Sequence, residues 1–317
     1  MTLLSHYTRR EGLEGIVGTG TFWATDFLYL DDPLEFFYAL RYLNEAAQEM
    51  VMCLIPPGKK KTTYDLNSAF ESAKNQLKQT LQSSEGYGNL YVLSFAQERP
   101  NDENQRGIRR LWAEYAGDGD GYCLQFDLRD VNRMLDQERQ RCNYEKIGRD
   151  EVRYGIDKNA KDFKDLSYQL SQRILLQVSD ARLDIQLKSE DEHMWSDGDF
   201  YRHLMWYCAI HKDPKYTYQQ EVRLFAYPAI VSDSRLFTGM AAKKQVLTRS
   251  EGNRYRRYIV LGERWKPRIM PRRIIVGTKA DRDIGPILAN CACAIEHSSI
   301  FSHSPMPEVV YEDRPIT

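Results

Sequence analysis

The chain has almost no net charge: 44 Lys and Arg stand against 45 Asp and Glu in 317 residues, a formal balance of -1. A near-neutral chain has no global attraction for nucleic acid or an anionic membrane, so binding of either kind needs a local patch. Long apolar runs are missing as well. Nothing approaches the roughly 20 residues that span a bilayer, and the first residues lack the charged-then-apolar layout of a secretory leader, so no membrane partner is expected. Cysteine is scarce. Six of them (Cys53, Cys123, Cys142, Cys208, Cys291 and Cys293) are scattered along the chain, which fits a reducing cytoplasm better than a disulfide framework. Cys291-x-Cys293 has no second pair at a suitable distance, and His297 alone completes no zinc set, so no metal is expected.

What the chain does have is enough apolar content, 42%, to bury a sizeable core, with a charged share of 28% typical of a globular protein. The stretch Leu3 to Phe36 organises the reading. A short apolar strand runs into His6-Tyr7-Thr8, and Glu11 to Val17 reads as one or two helical turns stopped by Gly18 and Gly20. Thr21 to Thr25 is β-branched and aromatic, a second strand. Tyr29-Leu30-Asp31-Asp32-Pro33 then breaks it, with Asp32 placed as an N-cap and Pro33 at the first helical position. Polar residues at one strand end beside aromatics of the next suit a small-molecule cleft, or equally an ordinary amphipathic opening.

Farther on, Leu34 to Leu54 carries Phe36, Leu40, Leu43, Ala47, Met50 and Leu54 at helical spacing. A polar helix is expected over about Tyr64 to Gln82. Strands are expected at Leu90 to Phe95, which ends polar at Ser94, and at Tyr122 to Phe126. Between them a short helix holds Arg109, Trp112 and Tyr115. Val131 to Trp206 reads as a mainly helical elaboration. Glu221 to Tyr227 alternates as a strand with Glu221 and Arg223 on one face, which is either a solvated edge pair or a grip on a polar ligand. Ile274 to Gly277 is a late buried strand, and the chain from Ser302 is expected to be loose.

Lys243 to Arg273 stands out by composition. Lys243, Lys244, Arg249, Arg254, Arg256, Arg257, Arg264, Lys266, Arg268, Arg272 and Arg273 face only Glu251 and Glu263, with Tyr255, Tyr258 and Trp265 interleaved. Such a stretch either tracks phosphates and stacks on bases, with Arg254, Arg256 and Arg257 at its centre, or pairs with the acidic residues around Asp191 and Glu192.

His6-Tyr7-Thr8, Leu30-Asp31-Asp32-Pro33-Leu34-Glu35, Leu93-Ser94-Phe95, Trp112-x-x-Tyr115 with Gly121-Tyr122-Cys123, Glu221-x-Arg223 and Ile274 to Gly277 follow one another in that order. The order resembles a widespread, poorly characterised bacterial domain family that in turn looks like a distant branch of the ADP-ribosyltransferase superfamily. Asp31 departs from the Asn usual before Asp-Pro in that family. The resemblance implies a single α+β domain with a mixed sheet, a helical insertion over about 131–206, and cleavage of the nicotinamide–ribose bond of NAD. It casts Glu221 and His6 as catalytic. Tyr7, Thr8, Tyr29, Ser94, Trp112, Tyr115 and Arg223 become NAD contacts. Together with the basic stretch, it makes nucleic acid the expected acceptor. An NAD glycohydrolase, or a non-enzymatic nucleotide or nucleic-acid binding module, are the alternatives.

Overall fold

The computed structural model describes residues 2–30, 32–54, 89–97, 109–179, 194–229, 242–251, 254–263, 268–289 and 306–311. In chain order these form β1 (Leu3–Thr8), α1 (Arg10–Thr19), β2 (Phe22–Asp26), a 3-10 turn (Phe27–Tyr29), α2 (Pro33–Leu54), β3 (Tyr91–Gln97) and α3 (Arg109–Tyr115). A second 3-10 turn (Gly117–Gly119), β4 (Tyr122–Asp127), α4 (Leu128–Arg141), β5 (Cys142–Glu151), β6 (Arg153–Tyr154), α5 (Lys161–Ser179) and α6 (Asp197–Ile210) follow. The chain continues through β7 (His211–Lys212), a 3-10 stretch (Pro214–Gln219), β8 (Glu221–Pro228), β9 (Ala242–Lys243), β10 (Leu247–Glu251), β11 (Arg254–Leu261), β12 (Arg273–Val276) and β13 (Glu308–Tyr311).

These elements divide into two compact units. The first holds Met1–Tyr29, Tyr91–Val152 and Lys215–Thr317; the second holds Leu30–Leu90 and Arg153–Pro214. An α+β fold builds the first unit. Its mixed, largely antiparallel sheet has eleven strands among the described residues, with a path β10-β11-β2-β3-β1-β4-β12-β13 and a side branch β8-β5-β9. The sheet forks at β3. One edge of β3 pairs with β8 from Tyr91↔Ala226 to Ala96↔Glu221. Its other edge is shared, by β2 at Tyr91 and Val92 and by β1 at Ala96 and Gln97.

Alternation along the strands sorts side chains to two faces. On one face Leu4, Phe22, Phe95, Leu124, Phe126 and Leu224 meet Leu13, Ile16 and Val17 of α1 and Val131, Met134 and Leu135 of α4. Phe22, Phe95 and Phe126 fill the fork on this side, edge to face, with centroids 5.0 to 6.0 Å apart. On the other face Tyr7, Ala96, Cys123 and Ile275 are covered by Leu111, Trp112 and Ala116 of α3 and its following turn. Gly20 ends α1 in the left-handed region (φ 67) and donates its N–H to the Ile16 carbonyl at 2.7 Å, the usual glycine stop.

In the second unit, α2 packs on α5 and α6. Asp32 caps it as the sequence indicates, its Oδ1 accepting from the Leu34 N–H at 2.9 Å, and Pro33 opens the helix. The buried stripe is Phe36, Ala39, Leu40, Leu43, Ala47 and Val51. It follows the expected positions through Ala47, then takes Val51 in place of Met50. β6 and β7 form a two-stranded parallel ribbon. Beside it, Lys212 Nζ lies 3.4 Å from Glu35 Oε2, both side chains buried.

The stretch expected to be mainly helical from 131 contains β5, a ten-residue strand of the large sheet. Its composition, CNYEKIGRDE, has no alternation, because its order comes from the ladder to β8 and only Cys142 and Ile147 are buried. The region after Ser302, expected to be loose, contains β13, which pairs in parallel with β12. The helix expected at Tyr64 to Gln82, Cys291, Cys293 and the acids at Asp191 and Glu192 lie outside the described residues. Among the described residues no helix is long and apolar enough to cross a membrane.

Candidate functional site

β1, β3 and β8 are consecutive strands of the forked sheet, and they carry His6, Ser94, Glu221 and Arg223. The β1–β3 ladder is two residue pairs long, Leu4↔Gln97 and Ser5↔Ala96, and then opens. Ser94 lies in the opening. Its backbone carbonyl is met by His6 Nδ1 at 3.1 Å. A carbonyl only accepts, so Nδ1 carries the proton, and a neutral ring is left with Nε2 as an acceptor. Burial lowers the His6 pKa below its ordinary value, outweighing the opposing effect of the Ser94 carbonyl.

Register places the remaining groups. Ser94 stands opposite Arg223 and Ala96 opposite Glu221, so Ser94, Glu221 and Arg223 share a face. Ser5 and Tyr7 alternate onto that face from β1. His6 alternates to the other one, its ring 5.6 Å from Phe95. His6 therefore reaches this assembly through the Ser94 backbone, while Ser5, Tyr7, Ser94 and Arg223 share a face with Glu221. The carboxylate is tightly held. Arg223 Nε donates to Glu221 Oε1 at 2.6 Å, with the two side chains 3% and 6% exposed. The Arg223 guanidinium also lies 5.8 Å from the Phe27 ring centroid. Removing one member of such a buried pair strands the other's charge, which is strongly destabilising.

The aromatic residues do not gather. Tyr7 and Trp112 meet edge to face at 5.5 Å inside the buried cluster under α3, and Trp112 is 1% exposed. Tyr115 points outward at 49% exposure and receives the Gln219 Nε2–H at 3.3 Å. Tyr29 is exposed beneath the Arg257 guanidinium, 5.1 Å from its ring centroid. Thr8 closes β1 against Gly121, where an added Cβ would come within 2.6 Å of the Thr8 carbonyl oxygen.

Sequence reading missed the lead-in to Glu221. Gln219 is buried and also donates to Glu114 Oε2 at 3.2 Å; Tyr218 donates to Glu114 Oε1 and stacks under Arg110. Burial and the Glu114 carboxylate push the Tyr218 hydroxyl up to about 12. Gln220 takes a left-handed φ of 43, a conformation uncommon outside glycine, and its Oε1 is buried with no hydrogen-bond partner. Only the Gln219-Gln220-Glu221 run hinted at this.

The basic stretch is broken up by the sheet. Arg257 pairs with Asp26, whose side chain is fully buried, at 2.8 Å. Lys244 pairs with buried Glu138 at 3.1 Å, Arg272 with Asp130 at 2.8 Å and Arg273 with Glu308 at 2.9 Å. Arg268 donates to the Gly18 carbonyl. Arg254 lies in β11 opposite Glu251, and Arg256 opposite Arg249. Among the described residues no cluster of His, Cys, Asp and Glu suits a metal ion.

Residues 111–224 match a family described as protein of unknown function (DUF2971). The match opens in α3 and closes in β8, so it takes in Trp112, Tyr115, Glu221 and Arg223 together with the α3 cover of the Glu221 face. No curated protein and no solved structure matches the chain.

Proposed function

We propose that the chain transfers ADP-ribose from NAD, with nucleic acid as the acceptor. The observation that carries this reading is the placement of Tyr7, Ser94, Glu221 and Arg223 on one face of three consecutive strands, at the point where β1 parts from β3. In this reaction the bond between ribose C1′ and the nicotinamide nitrogen breaks. The bonding pair leaves with neutral nicotinamide, and the ribose becomes oxocarbenium-like. A nucleophile on the acceptor then bonds to C1′ and gives up its proton. A fixed carboxylate beside the ribose stabilises that cation and holds the 2′-hydroxyl, as carboxylates do in glycoside hydrolysis. Glu221 takes this role, with Arg223 fixing its direction from the same face. Tyr7 and Ser94 line the same face. The neutral His6 ring braces the opening through the Ser94 carbonyl, a positioning role.

The buried Glu221–Arg223 pair also favours a second reading, a non-enzymatic nucleotide-binding module in which the carboxylate is a structural charge. Incubation with NAD labelled in the ADP-ribose part, alone and with DNA or RNA, separates the readings. Label on nucleic acid supports transfer, free ADP-ribose points to hydrolysis, and intact NAD overturns both enzymatic readings. Glu221→Gln should keep NAD binding and lose about a hundredfold or more in turnover, the effect of removing one electrostatic contact to a transition state. Unchanged turnover in that variant removes Glu221 from the mechanism.

A further inference from the structure

We propose that the outward face of β2, β11 and β10 is a stacking platform for single-stranded nucleic acid, built on Trp23 and Tyr258 and flanked by Arg249 and Arg256. It identifies the acceptor surface of the proposed transfer and to that extent rests on that reading. The strands alternate so that Phe22, Ala24, Ile259 and Leu261 enter the core, which turns Trp23, Thr25, Tyr258, Arg256 and Arg249 to the other side. Trp23 is 48% exposed on that side, an unusual place for a tryptophan. Its ring lies 4.7 Å from that of Tyr258, tilted by 32°. The Arg249 guanidinium sits 5.4 Å from the Trp23 centroid and 6.0 Å from that of Tyr258.

Arg249 and Arg256 stand directly opposite one another in the ladder. Aromatic rings on a sheet surface, with guanidinium groups beside them, suit bases that stack and phosphates that follow the backbone; every base offers a π-face, so such a surface is tolerant of sequence. A duplex hides its base faces and cannot use the rings. The platform also explains why the basic stretch is there without being one patch. Arg257, one residue from Arg256, alternates to the opposite face and is held by Asp26.

Fluorescence anisotropy of the full-length protein with a labelled thymidine or uridine strand of about a dozen nucleotides, and with a duplex of the same length, tests this. NAD is left out, so failure of the NAD chemistry does not affect the result. The single strand should bind in preference to the duplex. Trp23→Ala should weaken it about tenfold or more, and Trp23→Phe should retain most of the affinity. Arg249→Gln with Arg256→Gln should reduce the salt slope by about 1.4, or about 0.7 for each contact to a single strand. Melting temperatures of the variants identify any loss due to unfolding. Equal binding of strand and duplex, or Trp23→Phe as weak as Trp23→Ala when both melt like the parent, overturns the platform, and so does absence of binding.

Discussion

His6 meets the Ser94 carbonyl between β1 and β3 through a single hydrogen bond, and its burial sets its response to pH. Nδ1 donates to the Ser94 carbonyl, and burial keeps the ring neutral by lowering its pKa below 6.5. The unfolded chain takes up a proton first as pH falls below about 6.5, so the contribution of His6 to stability is complete above that value and declines beneath it, until the folded ring titrates as well. An asparagine amide can donate to the same carbonyl without titrating. His6→Asn should therefore show a smaller fall in melting temperature between about pH 7.5 and 5.5 than the parent. An identical fall in both proteins would show that this ring is not the sensitive group. At this scale the sequence was informative about residue type and poor about direction. His6, Ser94 and Glu221 each sit in an evident strand, and it is the ordered set of motifs behind the family resemblance that singles them out. That His6 faces away from the other two depends on the register of β1 against β3, a non-local quantity that no single strand encodes.

Elements with their own periodicity or punctuation were legible. α2 has a buried stripe, an Asp cap and an initial Pro, and β8 alternates into a strand. β5 was not, because its residues satisfy neither a helical nor a strand pattern and its structure comes from pairing with β8. The basic stretch shows both sides of the matter: its strand character was hidden by arginines, and the alternation that separates Arg256 from Arg257 appears only once β11 is paired with β2. The junction of β4 and α4 offers a test at this scale. Asp127 ends the strand, is almost fully buried, and caps the helix by accepting from the Arg129 N–H at 2.9 Å. The Arg129 side chain donates to the same carboxylate, and this holds its pKa below the ordinary value of 3.8. That contribution is present above about pH 3.8 and is lost as pH falls through the lower, folded value. Asp127→Ala should cost about 1–2 kcal/mol in denaturant unfolding at neutral pH, and Asp127→Asn, which keeps an acceptor for the N–H, clearly less. Equal losses would assign the effect to the charge instead of the cap.

At the level of the whole molecule, the chain leaves the first unit after Tyr29 and again after Val152, and returns at Tyr91 and Lys215. Local signals in the sequence read this as one domain with a single insertion, since no linker marks the first excursion. Yet both excursions start and end at neighbouring points of the large sheet. Asp26 pairs with Tyr91, so the two ends of the first lie close together. Val152 donates its N–H to the Glu221 carbonyl, a few residues past the return at Lys215. Every member of the large hydrophobic core belongs to the first unit, and so do the Glu221 face and the Trp23 platform. A chain in which residues 30–90 and 153–214 are each replaced by a flexible Gly/Ser linker should therefore fold by itself. Closing such gaps is entropically cheap, since each doubling of loop length changes the cost by only about 0.6 kcal/mol. The expected result is one cooperative thermal transition with dispersed amide resonances, together with single-strand binding that retains its dependence on Trp23. A collapsed product that melts without a transition and binds a hydrophobic dye would show that the second unit is needed to complete the first. In that event the two excursions are parts of one cooperative fold, and its stability cannot be apportioned between the units.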